Sequence, residues 1–141
     1  MRIVTFNANG RRQVGQLSSD GQYVTAFKLS PEAASQGALP LIEQVVGGQG
    51  LPALEGERIS LVTVRLEAPL PVPRRNIWCV GRNYYAHAQE LKESVFKASH
   101  SEVAQWPIVF TKVPECVIGP GDTVKLPGAY VSDQIDYEAE L

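Results

Sequence analysis

Three acids occupy alternate positions in the stretch SDQIDYEAEL, residues 132–141: Asp136, Glu138 and Glu140. A β-strand sends successive side chains to opposite faces, so these carboxylates share one face while Ile135, Tyr137, Ala139 and Leu141 share the other. Neighbouring acids on such a face lie roughly 7 Å apart and repel unless water screens them or a cation sits between. The polar outer face of an ordinary sheet is the plainer reading. Against it, all the charges on this face have one sign, with no interleaved lysine or threonine. Carboxylates without histidine or thiolate favour Mg²⁺, Mn²⁺ or Ca²⁺ over zinc.

A second group lies upstream in NYYAHAQELKES, where His87 and Glu90 are three residues apart and become neighbours if the segment is helical. A carboxylate beside an imidazole orients the ring and raises its basicity, which makes the pair a candidate general base; a surface hydrogen bond is the competing reading. Lys112 falls among apolar residues in IVFTKV, where its head needs solvent or an anionic partner. Arg82 follows Gly81 and could meet a substrate carboxylate or only water.

These residues depend on elements that the pattern predicts. RIVTF at 2–6, RQVGQL at 12–17 and QYVTAF at 22–27, separated by NANG and SSDG, predict an antiparallel meander. LIEQVV after Pro40 has helical spacing but is too short to stand alone, VVGGQG and the GGQGLPALEGE run read as connection, and ISLVTVRLE at 59–67 predicts one strand. Three prolines in APLPVPRRN mark a boundary between a small N-terminal domain, 1–73, and a second domain, 74–141. Beyond it, NIWCVG predicts a buried strand with Cys79 in its core and Asn83 a helix cap. IVFTKV predicts a further strand, GPGD a turn, and the acidic segment a last strand.

With 141 residues, a net charge of −2 and no basic cluster longer than a pair, the chain lacks the electrostatic footprint of a nucleic-acid or anionic-membrane binder. Arg11-Arg12 and Arg74-Arg75 read as solvated turn residues. Cys79 and Cys116 supply neither a disulfide framework nor a zinc site. No GxSxG or Walker-type loop is present, and no long apolar run, so the expectation is a soluble, unexported, cytoplasmic protein.

The segments IWCVGRNYYAHAQE at 77–90, IVFTKVPECVIGPGD at 108–122 and DYEAEL at 136–141 resemble, in order and spacing, the fumarylacetoacetate hydrolase family, whose patterns run CVGxNYxxHxxE, PxxFxKPxxxxxGPGD and DYExEL. The opening MRIVTFNANGRRQVG is similar to the small N-terminal domain of bacterial two-domain members. The resemblance implies an α+β, β-rich fold, with an antiparallel N-terminal β domain followed by the start of a mixed β-fold. It also implies Mg²⁺ or Mn²⁺, or Ca²⁺, held by Glu138 and Glu140 with an aspartate further along, a His87–Glu90 dyad, and Lys112 stabilising oxyanion charge. By the same resemblance, Asp136 is expected to support the pair rather than ligate. Val113 departs from the family's usual proline.

The implied activity is divalent-metal-dependent hydrolysis or lysis of a C–C bond in small 2-oxo or 1,3-diketo acids of the acylpyruvate type, as in aromatic catabolism. Isomerisation of hydroxymuconate-type diacids and decarboxylation of oxaloacetate are alternatives. The family resemblance also implies a homodimer. The sequence stops at Leu141, before a third carboxylate ligand, which points to the N-terminal portion of a longer protein; two carboxylates alone predict weak metal binding and an inactive 141-residue chain. A non-catalytic binding or assembly module is the rival reading of that chain.

Overall fold

A computed structural model describes residues 1–81, 83–84, 108–128 and 130–132. Over these residues the chain is α+β and rich in antiparallel strand. Strand β1 spans Arg2–Ala8, β2 Arg11–Leu17 and β3 Tyr23–Phe27; helices α1 and α2 span Pro31–Ser35 and Leu39–Val46. Strand β4 follows at Leu54–Ser60 and β5 at Arg65–Glu67, then β6 at Ile77–Gly81 and β7 at Ile108–Lys112.

The expected meander is present, because its turns leave the chain few alternatives. Ala8 faces Arg11 in the ladder, and Asn9 and Gly10 between them have φ of 52° and 78°. Positive φ at both central residues is the two-residue hairpin turn whose twist suits paired strands, and Asn-Gly is the dipeptide that tolerates it best. At the next turn Ser18 N–H donates to Tyr23 O at 2.9 Å, and Gly21 takes φ of 73°.

The larger sheet has the order β4-β3-β2-β1-β5. Two differences from the sequence reading matter here. Leu54–Glu57, expected as connection, are strand, and the run 59–67, expected as one strand, breaks at a short 3-10 turn over Leu61–Thr63. Propensity does not show this break, because the run keeps β-favouring residues throughout. Its effect is topological, since Leu61–Val64 carry the chain from one edge strand to the other. Five Cα steps reach at most about 18 Å, whereas a flat five-stranded sheet is about 19 Å across, so the sheet curls.

Curling buries both faces. On one face Val14 and Phe27 pack with Ala38 and Leu41 of the helical segment, flanked by Ile3, Leu29, Leu51 and Leu70. On the other, Phe6 and Val24 are fully buried beside Gly15, where a Cβ would come within 2.6 Å of Val24 Cγ2 and 3.0 Å of Phe6 Cε1. Helix α1 is absent from the sequence reading although its signal is visible: Ser30 Oγ accepts from Ala33 N–H at 3.2 Å, and Pro31 occupies the first turn.

The chain forms two compact units, one of residues 1–71 with the segment from 118 onward, the other of Val72–Val117. In the second, β6 and β7 make a two-stranded antiparallel ribbon in which Ile77 faces Lys112 and Gly81 faces Ile108. No helix among the described residues is long and apolar enough to cross a membrane.

Candidate active site

Of the residues singled out for chemistry, Lys112 is described. His87, Glu90, Arg82, Glu138 and Glu140 lie outside the described residues, as does Asp136. Lys112 ends β7, held in register by the ladder with β6 and by Asn76 Nδ2, which donates to Thr111 Oγ1 at 3.4 Å. Alternation places Lys112 on one face with Phe110 and Ile108 of its own strand and with Ile77 and Cys79 of its partner. It is exposed, but the face it shares is apolar.

Its ammonium lies 6.0 Å from the centroid of the Phe110 ring, at the outer limit of a cation–π contact. Phe110 is absent from the sequence-derived site; its i, i+2 spacing from Lys112 on a strand is the signal that finds it. Cys79, expected in the core, is half-buried on the same face, and Cys116 is exposed.

Among the described residues no group of three or more His, Cys, Asp or Glu stands close enough to hold a metal. The best-organised ionic cluster is in the larger sheet. Glu67, buried, accepts from Arg12 Nε, from Arg65 Nη2 at 2.7 Å and from Asn7 Nδ2 at 3.5 Å, while Arg12 Nη1 donates to Ser35 O at 2.8 Å. Arg12 is therefore not the solvated turn residue its place beside Arg11 suggests. This cluster ties strands to α1, and among the described residues no buried side-chain nitrogen or oxygen lacks a hydrogen-bond partner.

The comparisons with known proteins bear on the segment that carries Lys112. Residues 76–141 match the model of the fumarylacetoacetate (FAA) hydrolase C-terminal domain. Through that segment the chain is similar to the fumarylacetoacetate hydrolase family. Among its relatives, oxaloacetate tautomerase YisK of Bacillus subtilis is 45% identical over 82 residues, covering 58% of this chain and 25% of that protein. The mitochondrial oxaloacetate tautomerase fahd2 of Xenopus laevis is 34% identical over 83 residues, covering 59% of this chain and 23% of its own. The solved fumarylacetoacetate hydrolase of Exiguobacterium antarcticum superposes with a TM-score of 0.59 at 25% identity, covering 95% of this chain and 43% of that one. A Mycobacterium abscessus protein at 22% identity and TM-score 0.56 shares the fold. The chain thus spans about a quarter of the length of these two tautomerases.

Proposed function

We propose that the intact protein interconverts the keto and enol forms of a small 2-oxo diacid of the oxaloacetate class. The observation that carries this reading is the 45% identity to oxaloacetate tautomerase YisK. It favours the isomerase branch over the C–C cleavage to which the residue pattern first pointed. In this reading residues 1–73 form the small N-terminal domain and 74–141 the start of the catalytic domain of a cytoplasmic homodimer.

Tautomerisation moves one proton off the carbon beside the carbonyl and delivers one to the carbonyl oxygen. His87, oriented by Glu90, takes the carbon-bound proton; Lys112 donates toward the oxygen as negative charge grows there; Arg82 pairs with a substrate carboxylate. Glu138 and Glu140 offer oxygen donors only, a set that fits Mg²⁺ or Mn²⁺, or Ca²⁺, and those residues would hold the ion. A divalent ion held there supplies Lewis acidity toward the oxygens of a 2-oxo acid.

The test is a panel of oxaloacetate, an acylpyruvate and a hydroxymuconate analogue, assayed with Mg²⁺ and again after EDTA. Oxaloacetate enol loss accelerated only with metal is expected; cleavage of the acylpyruvate without acceleration of tautomerisation sinks the proposal. C–C hydrolysis is the second reading, favoured by the likeness to the Exiguobacterium antarcticum enzyme over 95% of this chain.

A further inference from the structure

Strand β2 is paired unevenly. Against β1 it pairs along its whole length, Arg11 to Leu17, but against β3 it pairs only at Gly15, Gln16 and Leu17. After Ala26, β3 leaves β2 and stays with β4, where Ala26 faces Glu55 and Phe27 faces Leu54. Successive residues of a strand turn their N–H and C=O groups to opposite sides, so part of the backbone of residues 11–13 has no ladder partner on the side away from β1. A groove of about 620 Å³ opens there, walled by β2, the end of β3 and helix α1. A second hollow of about 570 Å³ extends it along β4, and Gln13, Ala26 and Glu55 line both. The floor is apolar: Val14, Phe27 and Ala34 are buried, with Leu29 half-buried beside them. The rim carries both signs of charge. Arg11 stands on the β2 side, Glu55 and Glu57 on the β4 side, all exposed and without a charged partner among the described residues. Arg12 is already committed to Glu67 and to Ser35 O.

An open strand edge is a template for pairing with another segment. Here it lies beside an apolar floor and between opposite charges, which is the chemistry that recognises an added strand: main-chain bonds hold the segment and alternate side chains enter the floor. We infer that this groove takes a short extended peptide of a partner protein. One apolar side chain sits on Val14 and Phe27, an acidic one turns toward Arg11, and a basic one turns toward Glu55 and Glu57. The two glutamates repel a small anion and Arg11 repels a small cation, so the rim selects a segment that bears both charges. The site lies wholly in the larger sheet and α1, and it stands apart from the tautomerase reading.

The experiment uses the intact protein and fluorescein-labelled valine-rich hexapeptides, read by anisotropy at low salt. One peptide carries aspartate at one end and lysine at the other, one carries serine at both places, and one carries lysine at both. A fourth repeats the first with its backbone N-methylated. The aspartate–lysine peptide should bind about two- to thirtyfold tighter than the serine form, the usual worth of two exposed charge pairs, and the N-methylated form should not bind measurably. Arg11→Glu makes the rim wholly acidic. It should reverse the preference, so that the lysine–lysine peptide binds tighter than the aspartate–lysine one, an outcome that loss of folding does not produce. No binding of any peptide at millimolar concentration overturns the site. Equal binding of the N-methylated form overturns strand addition, and an unreversed preference in Arg11→Glu overturns the charge assignment. Unlabelled valine that displaces the peptide at the peptide's own concentration overturns a peptide as the occupant.

Discussion

Two guanidinium groups and one amide converge on the Glu67 carboxylate, which is 8% exposed, so its loss strands donors from three strands at once. Removing one partner of a buried pair costs about 3–5 kcal/mol. Because Arg12 and Arg65 keep partial access to water, Glu67→Ala should cost less, about 2–3 kcal/mol by urea unfolding. Asp20 offers a pH test at the same scale. Ser18 Oγ donates to its carboxylate at 2.5 Å and Gln22 N–H at 3.0 Å, and these bonds hold its pKa below the ordinary 3.8. Stability from this turn is therefore complete above the unfolded value and lost as pH falls through the lowered native one. A carboxyl NMR titration should show Asp20 protonating below 3.8, and Ser18→Ala should move the midpoint upward. A midpoint unmoved by that substitution would refute the assignment of the shift to Ser18.

At the scale of elements, the inner face of the curled sheet leaves no room at Gly15. A methyl there would meet Thr25 O and Val24 Cγ2, both at 2.6 Å, in mid-strand, where the backbone cannot yield without disturbing the β2–β3 ladder. Gly15→Ala should cost about 1–3 kcal/mol, as overpacking does, despite alanine's better intrinsic behaviour in regular structure. Equal or greater thermal stability in that variant would contradict the packing. The β6–β7 ribbon shows the opposite condition: Trp78 is 73% exposed and Val109 54%, so apolar side chains face outward among the described residues. Central strands of larger sheets carry apolar residues on both faces.

For the whole molecule, activity separates the roles proposed for individual residues. His87→Ala in the intact protein should lower kcat about 10²–10⁴-fold, the usual worth of a general base, with Mn²⁺ binding retained. EDTA should abolish turnover and added Mg²⁺ restore it, whereas metal-independent turnover would remove Glu138 and Glu140 from the mechanism. The proposed homodimer predicts twice the monomer mass in size-exclusion measurement at micromolar concentration.

Local pattern alone determined the meander, its Asn9-Gly10 turn, the α2 segment, the β6 and β7 strands and the family likeness of residues 76–141, because alternation, turn chemistry and motif spacing are written within a few consecutive residues. It also placed Lys112 on a strand, though not the apolar character of the face it shares with Phe110. Tertiary structure decided the rest. Arg12 and Glu67 are 55 residues apart, and a charge beside another charge in a turn looks solvated until the ladder of β1 with β2 and β5 brings its partner alongside. The break at Leu61–Thr63 was invisible because β propensity continues through it, and it occurs where the chain must cross between sheet edges. The seat of the 119–122 turn on β5 depends on a backbone contact across more than fifty residues, which periodicity does not record.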